Sequence, residues 1–254
     1  AAVDLSRMAG FEEAGIIVEI LNEDGSMARL PELILIAKKF DLKLISIEEL
    51  IKYRIAHESL VEKVVDVHMP TEWGDFQLHA FKDKSNDMDH LALVKGTWEK
   101  DEAVLVRVHS SCLTGDIFVS CRCDCGSQLH SAMEQIEKKG KGVIVYMNQE
   151  GRGIGLSEKI KAYKLQDEGL DTVEANLALG HSADLRSWDD AALILKNLNI
   201  SQINLLTNNP EKISALVNKS IEVKQVPIIT PKNAKNIRYL DTKRIKLNHI
   251  MEEK

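Results

Sequence analysis

The order of apolar and polar residues divides the chain into two stretches of different character. Within residues 1–60 the apolar positions mostly keep helical spacing, as in 30–37 and 47–51. Ser46, followed closely by two glutamates, predicts the capped start of the second of these helices. Residues 15–20 instead form a short β-like run that ends at a turn-rich segment. The pattern predicts a small, mostly helical fragment that would be marginal as an independent domain.

From about residue 61 the pattern changes to strands, which later alternate with helices. The runs that predict strands are 61–68, 75–81, 91–95, 104–108, 143–146 and 203–206. The runs that predict helices are 129–136, about 156–168, 189–198 and a segment after Pro210. Strands joined by turns favour an antiparallel sheet, whereas alternating strands and helices favour βα units. We therefore predict an α+β or α/β fold, with a mixed-sheet domain at 61–254 preceded by the helical fragment at 1–60.

Composition narrows the functions that this fold can carry. Of the 254 residues, 44% are apolar and 28% are charged, as in ordinary soluble proteins. The net charge of −6 argues against a nucleic-acid partner and an anionic membrane surface, although local arginines and backbone amides can still bind a polyphosphate. No apolar run approaches the roughly 18 residues that span a bilayer. The first residues resemble the middle of a helix rather than a signal peptide, which predicts missing material upstream.

The four cysteines of the chain, Cys112, Cys121, Cys123 and Cys125, lie within fourteen residues. Such close neighbours are poorly placed to form disulfides, so the cluster predicts metal ligands in a reducing, cytoplasmic compartment. Three thiolates suit Zn²⁺, and a fourth position left to water is typical of a catalytic site, where zinc makes hydroxide available at neutral pH. A structural site that also uses Cys121 has compatible spacing, and the spacing leaves both alternatives open.

Three further segments could bind an anion. Residues 149–155, Gln-Glu-Gly-Arg-Gly-Ile-Gly, lie between a predicted strand and a helix and form either a phosphate loop or a simple turn. Residues 184–186, Asp-Leu-Arg, pair a carboxylate with a guanidinium, which more often marks a solvated surface pair. Residues 207–212 form either a phosphate loop or only a well-capped helix start. Together with the cysteines, these segments indicate a metal beside a polyphosphate.

Six segments of the second stretch closely resemble GTP cyclohydrolase II, in that family's order. They are 107–116 (Arg-Val-His-Ser-Ser-Cys-Leu-Thr-Gly-Asp), 122–129 (Arg-Cys-Asp-Cys-Gly-Ser-Gln-Leu), 148–156, 162–167, 169–176 and 206–210, and the resemblance covers about residues 62–250. Residues 1–60 resemble the carboxyl end of 3,4-dihydroxy-2-butanone 4-phosphate synthase, in the segments 1–5, 14–20 and 22–30. Because the two activities are often fused in this order, the chain resembles a bifunctional riboflavin-biosynthesis protein cut short.

The resemblance implies zinc-dependent hydrolysis of GTP to 2,5-diamino-6-ribosylamino-4(3H)-pyrimidinone 5′-phosphate, formate and pyrophosphate, the first step of riboflavin biosynthesis. It implies one Zn²⁺ per chain held by Cys112, Cys123 and Cys125, Mg²⁺ with the triphosphate, and a homodimer. Cys121 matches no ligand of the family. The residues implied for GTP binding are Arg107, Val108, His109, Ser110, Ser111, Gln128, Glu150, Gly151, Arg152, Thr172, Thr207 and Lys212.

The catalytic residues that the resemblance implies are Asp184, Arg186 and Tyr163. Asp184 would be the proton acceptor that keeps Arg186 reactive, and Arg186 would be the nucleophile at the α-phosphate. Tyr163 would assist at the base. Because a guanidinium stays protonated at neutral pH, a transition-state clamp fits the chemistry of Arg186 equally well.

Departures from the family pattern leave alternative functions open. Ser111 stands where many relatives carry an acid, Glu158 where asparagine is common, and Ser187-Trp188 where an acid and an aromatic are usual. The change at Ser187-Trp188, next to Arg186, favours the alternative of a degenerate GTP-binding or scaffold module without turnover. In the synthase fragment Glu19 matches a catalytic glutamate, but the other residues of that site are expected upstream. A third hypothesis is that residues 1–60 have synthase activity. The expected absence of the other site residues from this fragment argues against it.

Overall fold

The computed structural model describes residues 1–58, 60–231 and 233–250. The chain separates into two compact units, Ala1–Glu58 and Ser59–Lys254. The predicted second domain extends to residue 254, and its last four residues, 251–254, lie outside the described residues.

The described residues of the first unit contain three helices, α1 (Ala2–Met8), α2 (Leu30–Phe40) and α3 (Ile47–His57). The cap predicted for α3 is present, since the Ser46 hydroxyl accepts the Glu49 N–H at 3.1 Å and the Glu49 carboxylate accepts the Ser46 N–H at 3.4 Å. The mostly helical character predicted for this fragment is confirmed.

Residues 15–20 are not the strand that their sequence predicts. They run without a β-ladder through the described part of the first unit, and an isolated bridge nearby joins Leu21 to Met27. Ile16 within this run is 97% exposed. β-branched residues favour a strand only where a neighbouring strand pairs its N–H and C=O groups, and no ladder forms along this run, whose last residue, Ile20, accepts the Ala28 N–H at 3.0 Å.

A seven-stranded mixed sheet forms the centre of the second unit. Its strands are β1 (Val61–Thr71), β2 (Gly74–Asp83), β3 (Met88–Lys95), β4 (Val104–Ser110), β5 (Gly142–Met147), β6 (Gln202–Leu206) and β7 (Glu222–Val226), in the order β1-β2-β3-β5-β4-β6-β7. The pairs β1–β2, β2–β3 and β3–β5 are antiparallel, whereas β5–β4, β4–β6 and β6–β7 are parallel. The predicted mixed sheet, with an antiparallel part and βα units, is confirmed.

Helices follow most strands of the parallel part. Those described are α4 (Leu113–Asp116), α5 (Cys125–Lys139), α6 (Leu156–Asp167), α7 (Thr172–Ala178), α8 (Asp189–Asn197), α9 (Pro210–Val217) and α10 (Ile237–Lys246). The apolar spacing predicts α5, α6, α8 and α9, but not the short α7, nor α10 and β7, whose sequences are mostly polar. None of the described helices is long and apolar enough to cross a membrane.

Side chains of β4 and β5 alternate between the two faces of the sheet. Val106 packs in a cluster with α8, whereas Leu105 and Ile144 pack in a second cluster with α5. The alternation that places Leu105 on the α5 face places Arg107 and His109 there too, toward the carboxyl end of β4. Arg107 is 6% exposed and His109 is 2% exposed. The register of β4 therefore buries two polar side chains at one edge of the sheet.

The packing between β5 and α5 predicts a large loss of stability in Ile144→Ala, because Ile144 is 0% exposed. We expect the free energy of unfolding to fall by about 2–5 kcal/mol through lost burial and a cavity. Trp73, Trp98 and Trp188 are the three tryptophans of the chain, so urea unfolding followed by tryptophan fluorescence reports the second unit. Ile160→Ala, at a position 48% exposed, is the control and should change stability by less than about 0.5 kcal/mol. Equal losses in the two variants would contradict the expectation.

Candidate functional site

The carboxyl ends of three neighbouring strands lead into the loops that carry most of the predicted site residues. β4 leads into 110–112, β5 into 148–155 and β6 into 207–209. Because these strands are parallel, their carboxyl ends meet at one edge of the sheet, which is where open α/β sheets bind ligands. The loops border a cleft that is open to solvent, with about 1010 Å³ of space including that open solvent.

Three thiols meet at this cleft. The sulfur atoms of Cys112, Cys123 and Cys125 lie within 4.8 Å of one another, and Cys112 Sγ is 3.8 Å from Cys123 Sγ. Cys112 immediately precedes α4 and Cys125 begins α5, so two helix starts approach one point. Cys121 is exposed and lies outside the group found among the described residues. The geometry therefore offers three thiol ligands at this point rather than four.

Two glycines allow the thiols to come together. A Cβ atom at Gly115 would lie 2.8 Å from Cys123 Sγ and 3.0 Å from Cys112 Sγ. A Cβ atom at Gly126 would clash with the carbonyl oxygen of Gly115. Since no side chain fits at either position, the starts of α4 and α5 pack closely enough to bring the sulfurs within reach of one ion.

A buried carboxylate, Asp116, fixes the backbone at the first thiol. Its oxygens accept the Cys112 N–H at 2.9 Å, the Tyr146 hydroxyl at 2.9 Å and the His109 ring at 3.1 Å from Nε2. The Asp116 side chain is 4% exposed. Burial lowers the pKa of His109, which favours the neutral ring that donates from Nε2 to this carboxylate. Asp116 thus ties β4, β5 and Cys112 together.

The loop after β5 contains a 3₁₀ turn, Glu150–Gly153, with two consecutive residues in the left-handed region. Gly151 has φ 64° and Arg152 has φ 61°, a conformation that is uncommon for a side chain as large as arginine. The Arg152 carbonyl accepts the Leu185 N–H at 3.0 Å, which ties this loop to residues 184–186. Arg152 Nη1 is buried without a hydrogen-bond partner among the described residues, so an anion in the cleft would complete its bonding.

Glu150 joins this loop to the thiol group. Its Oε1 accepts a hydrogen bond from Lys159 Nζ at 2.7 Å, and its Oε2 accepts the Leu113 N–H at 2.6 Å. Lys159 Nζ also donates to Cys112 Sγ at 3.1 Å. Hydrogen bonds from the neighbouring thiols, together with the charge of Lys159, lower the pKa of the Cys112 thiol well below its ordinary value. The first thiol is therefore favoured as a thiolate, the form that binds metals.

Asp184 and Arg186 form a paired carboxylate and guanidinium that is mostly buried, not the solvated surface pair that the spacing alone favours. Arg186 Nε donates to Asp184 Oδ1 at 2.9 Å, and Arg186 Nη2 donates to Oδ2 at 2.5 Å. The two side chains are 14% and 16% exposed. Burial opposes the charge of Arg186, but the hydrogen bonds and charge of Asp184 raise its pKa, so the guanidinium stays protonated. Arg186 Nη1 also reaches Ser110 Oγ at 3.4 Å.

Trp188 contacts two cations of the site. Its ring centroid lies 4.9 Å from Arg186 Cζ and 4.6 Å from Lys212 Nζ. Lys212 Nζ donates to the Val108 carbonyl at 2.7 Å, and burial lowers its pKa well below the ordinary value. An aromatic face stabilises a desolvated cation by about 2 kcal/mol. The departure at Ser187-Trp188 therefore retains an aromatic side chain in contact with two predicted site residues.

The segment 207–212 forms a capped helix start at the edge of the cleft, and its role as a phosphate loop stays a prediction. Asn209 caps α9, since its Oδ1 accepts the Glu211 N–H at 2.9 Å. Thr207 Oγ1 accepts the Asn209 N–H at 3.1 Å. The capped helix start places Lys212 in the first turn, where it borders the cleft.

A chain of buried polar side chains connects α10 to β4. Lys243 Nζ donates to Asp124 Oδ1 at 2.6 Å, and Gln128 Nε2 donates to Asp124 Oδ2 at 2.7 Å. Gln128 Oε1 in turn accepts a hydrogen bond from Arg107, which also donates to the Leu206 carbonyl at 2.8 Å. Burial lowers the pKa of Arg107 to about 10. Arg107 remains largely charged at neutral pH, so this chain presents a cation to the cleft.

Positive charge dominates the cleft, although the chain as a whole has a net charge of −6. Among the described residues that border it, six are cationic and one is acidic, Glu150. The cationic residues are Arg107, Arg152, Lys159, Arg186, Lys212 and Lys243. Such a concentration of lysine and arginine attracts a polyanion and can bind phosphate oxygens directly.

The structure places most of the predicted site residues around this cleft. All residues predicted to bind GTP border it except Val108, whose side chain is 0% exposed in the core and whose carbonyl binds Lys212. Tyr163 borders the cleft as well, whereas Asp184 contacts it through Arg186. Glu19 lies exposed in the first unit. The roles assigned to these residues stay predictions.

Several residues that border the cleft escape prediction from the sequence. They are Lys159, Asn176, Asn208, Tyr239, Lys243 and His249. Lys159 follows the glycine-rich loop by one helical turn, and that spacing could have identified it. Lys243 and His249 come from a polar, basic tail in which no apolar pattern predicts that side chains turn inward. The pKa of His249 is lowered to about 3 by burial and by the surrounding cations.

A second group with metal-ligand chemistry consists of Asp83, His90 and Asp190. His90 Nδ1 accepts the Asn148 N–H at 3.1 Å, so the ring hydrogen of the neutral histidine lies on Nε2, which is 3.3 Å from Asp190 Oδ2. A metal ion would need the lone pair of that nitrogen. These contacts instead tie β3 to the base of the glycine-rich loop and to α8.

Two family descriptions match the chain. GTP cyclohydrolase II matches residues 62–227, and 3,4-dihydroxy-2-butanone 4-phosphate synthase matches residues 1–53. The first match covers more than half of the chain, and the chain belongs to the GTP cyclohydrolase II family. The resemblances that the sequence motifs indicate are confirmed.

Curated relatives are named riboflavin biosynthesis protein RibBA. The protein from Cytophaga hutchinsonii is 62% identical, with 100% of this chain and 63% of the relative covered. The protein from Parabacteroides distasonis is 56% identical, with 99% and 62% covered, and that from Bacillus cytotoxicus is 54% identical, with 99% and 64% covered. The chain therefore spans 62–64% of the length of these relatives.

A solved structure shares the architecture. The chain of RibBX from A. baumannii, described as a two-domain 3,4-dihydroxy-2-butanone 4-phosphate synthase, matches with a TM-score of 0.52 and 29% identity. The match covers 91% of this chain and 58% of that chain.

The contacts of Asp116 predict that Asp116→Asn destabilises the second unit. Asp116 Oδ2 accepts from all three groups, whereas Oδ1 faces His109 Nε2 alone. Even with its oxygen at the Oδ2 position, the amide therefore turns an NH₂ group toward the N–H of His109, and each buried donor left unpaired costs about 1–3 kcal/mol. We expect the urea midpoint, followed by tryptophan fluorescence, to fall with an unchanged denaturant slope. Asp89→Asn, at a side chain 71% exposed, is the control and should leave the midpoint nearly unchanged. A midpoint for Asp116→Asn equal to that of the control would show that the carboxylate does not organise the site.

Proposed function

We propose that the second unit is a zinc-dependent GTP cyclohydrolase II, which converts GTP to 2,5-diamino-6-ribosylamino-4(3H)-pyrimidinone 5′-phosphate, formate and pyrophosphate. The observation that carries the proposal is a group of three thiols bordering a cleft that six cationic side chains line. A metal-activated attack on a nucleotide base needs both features, one for the metal and one for the triphosphate. Membership of the family supplies the reaction class.

The thiol group fits Zn²⁺. Tetrahedral zinc with Zn–S bonds of about 2.3 Å requires sulfur atoms roughly 3.8 Å apart. Cys112 Sγ and Cys123 Sγ are separated by 3.8 Å, and Cys125 completes the set within 4.8 Å. Three ligands leave one position of the tetrahedron free, as in catalytic zinc sites. When bound, zinc would supply the activated water that opens the imidazole ring and releases formate.

The cationic residues would bind the triphosphate and hold it in one orientation. Arg152 Nη1 and Arg107 Nε are buried without partners among the described residues and can donate to phosphate oxygens. Lys212 Nζ lies at the first turn of α9, where burial lowers its pKa and a bound phosphate would raise it again. Binding energy of this kind fixes the purine ring relative to the metal, which is the positional part of catalysis.

Arg186 is better suited to clamp a phosphate than to attack it. Its paired hydrogen bonds with Asp184 raise its pKa, so a neutral, nucleophilic guanidine is disfavoured. Asp184 would hold the planar group in place, and Arg186 Nη1 near Ser110 would face the cleft. A charge fixed in this way stabilises the negative charge that develops as pyrophosphate leaves. We therefore assign Arg186 the role of a transition-state clamp.

Tyr163 would act beside the base as a neutral hydroxyl. Burial raises its pKa, and its hydroxyl lies 3.1 Å from Thr114 Oγ1. Thr114 Oγ1 in turn lies 3.7 Å from Cys112 Sγ, so Tyr163 is linked to the metal ligands through one side chain. A neutral tyrosine at this place can donate a proton to a ring nitrogen as the C–N bond breaks.

The proposal includes further features carried by the family resemblance. Mg²⁺ would accompany the triphosphate and be held mainly by phosphate oxygens, since Glu150, the acid that borders the cleft in the described part of the chain, is bonded to Lys159 and Leu113. A homodimer and a cytoplasmic location complete it, the location resting on the clustered, unpaired thiols.

A second candidate function is a module that keeps the fold and binds GTP without turnover. The observation that favours it is the likeness to RibBX, a protein described as a two-domain synthase. The departure at Ser187-Trp188 favours it as well. This candidate predicts GTP binding without formate. Synthase activity of the first unit is a separate hypothesis, and ribulose 5-phosphate turnover by this chain would support it.

Loss of the thiol group should abolish the reaction. We expect Cys123→Ser to lose zinc and to release formate from GTP at least a hundredfold more slowly, because a ligand of the activating metal is removed. Cys121→Ser changes an exposed thiol outside the group and should keep full zinc content and activity. Formate and pyrophosphate are measured with and without a chelator, and circular dichroism checks folding. If the zinc-loaded wild type binds GTP but makes neither product, the non-catalytic module is the correct function.

The contacts of Trp188 predict that its ring contributes to GTP turnover. Trp188→Leu removes the aromatic face from Arg186 and Lys212, and we expect kcat/KM for formate release to fall about tenfold, equivalent to ~1.4 kcal/mol. Trp188→Phe keeps a smaller aromatic face and should lose less. Thermal unfolding by circular dichroism separates this effect from a loss of core packing. Equal kinetics for the leucine and phenylalanine variants would contradict a cation–π contribution.

A further inference from the structure

Lys159 is a buried cation that contacts the thiol group directly. It lies in α6, one helical turn after the N-cap residue Gly155, and it is 8% exposed. Its ammonium donates to Cys112 Sγ at 3.1 Å and to Glu150 Oε1 at 2.7 Å. A lysine is rarely buried without such partners. Lys159 therefore bridges the first thiol and the glycine-rich loop.

The stem of Lys159 is held in place by the same loop. A Cβ atom at Gly151 would lie 3.0 Å from Lys159 Cβ, so the loop packs against the lysine with no room for a side chain. The Lys159 ammonium also lies 5.6 Å from the centroid of the Tyr163 ring. Because the stem and the ammonium are both confined, the position of the charge relative to Cys112 is fixed by packing rather than by the ion pair alone.

The positive charge of Lys159 would stabilise a three-thiolate metal site. Three thiolates around a divalent cation carry a net charge of −1, and burying an unpaired charge is costly. A cation beside one sulfur offsets that charge. A hydrogen bond to a thiolate also withdraws electron density from the sulfur, which leaves the metal a stronger Lewis acid.

We propose that Lys159 is a positioning residue of the metal centre, which binds the Cys112 thiolate, offsets the charge of the three-thiolate site and couples that site to the GTP-binding loop through Glu150. Glu150 also contacts the backbone beside the first thiol, since its Oε2 accepts the N–H of Leu113, the residue after Cys112. Lys159 and Glu150 together hold both the sulfur and the adjoining backbone of the first ligand. This inference rests on the proposed zinc site.

The test uses Lys159→Met, which removes the charge and the donor, and Lys159→Arg, which keeps both. Lys161→Met is the matched control, because Lys161 lies on the same helix with a side chain 62% exposed. Zinc affinity is measured by competition with a chromophoric chelator at neutral pH. We expect Lys159→Met to bind zinc about 10–100-fold more weakly, and the other two variants to stay within about threefold of the wild type. Equal affinity in Lys159→Met and Lys161→Met would overturn the proposal.

A second measurement, which like zinc affinity does not depend on turnover, is the absorption spectrum of the cobalt-loaded protein. With Co²⁺ in place of zinc, the sulfur-to-cobalt charge-transfer band reports how tightly the thiolates hold their electrons. Loss of the hydrogen bond should move this band to lower energy in Lys159→Met, whereas Lys159→Arg and Lys161→Met should keep it in place. An unmoved band in Lys159→Met contradicts the proposed hydrogen bond.

Two safeguards keep the outcomes distinct. If Lys159→Met does not fold, Lys159→Gln, which keeps a donor but no charge, is used, and wild-type zinc affinity in that variant overturns the role of the charge. If the wild-type chain itself binds neither zinc nor Co²⁺ and makes no formate, the proposed function fails. If the wild type binds zinc and makes formate while all Lys159 variants bind zinc as it does, only the role of Lys159 fails.

Discussion

The mutual repulsion of the cations around one cleft is the constraint on which the rest of the second unit depends. Six lysine and arginine side chains border this cleft beside a single acid, in the described part of the chain. The structure holds them with partners that face away from the cleft, as Asp184 holds Arg186 and Asp124 holds Lys243. Such partners offset only part of the cost of burying charge. Nη1 of Arg152 is buried without a hydrogen-bond partner among the described residues, so an anionic ligand in the cleft would complete its bonding.

The thiol group also needs positive charge, at a different place in the same cleft. Thiolates need nearby positive charge, while phosphates need it a few ångströms away, so the two must be arranged without competing. The structure separates them through Glu150, which binds Lys159 on the thiol side and lies in the loop that carries Arg152. The left-handed backbone at Gly151 and Arg152 makes that loop compact enough to serve both. One short segment after β5 therefore joins the thiol group to the cationic side chains that the proposal assigns to phosphate.

Much of the fold could be predicted, because strands β1–β6 and the longer helices carry regular apolar spacing. β7 and α10 could not, since their sequences are mostly polar and their places are set by neighbours far along the chain. Lys243 of α10 binds Asp124 across 119 residues, a contact that no local pattern encodes. The strand predicted at residues 15–20 was wrong. Their β-branched composition suits a strand, but the described part of the first unit contains no strand that pairs with them. The cysteine spacing predicted a metal site but left three or four ligands open; the family resemblance implied three, and the exposed position of Cys121 agrees with that choice.

Architecture alone does not decide the chemistry of this chain. RibBX matches over 91% of the chain and is described as a two-domain synthase, and a shared fold does not by itself fix a function. What narrows the choice is the agreement of independent local features: glycines at 115 and 126 that admit three sulfurs, an aspartate that fixes Cys112, and cations placed at the ends of three parallel strands. A structural zinc site would also hold its thiols at close spacing, but it would have no need of a cleft lined by six cations beside them. The combination of three thiols with that cationic cleft is the physical argument for turnover.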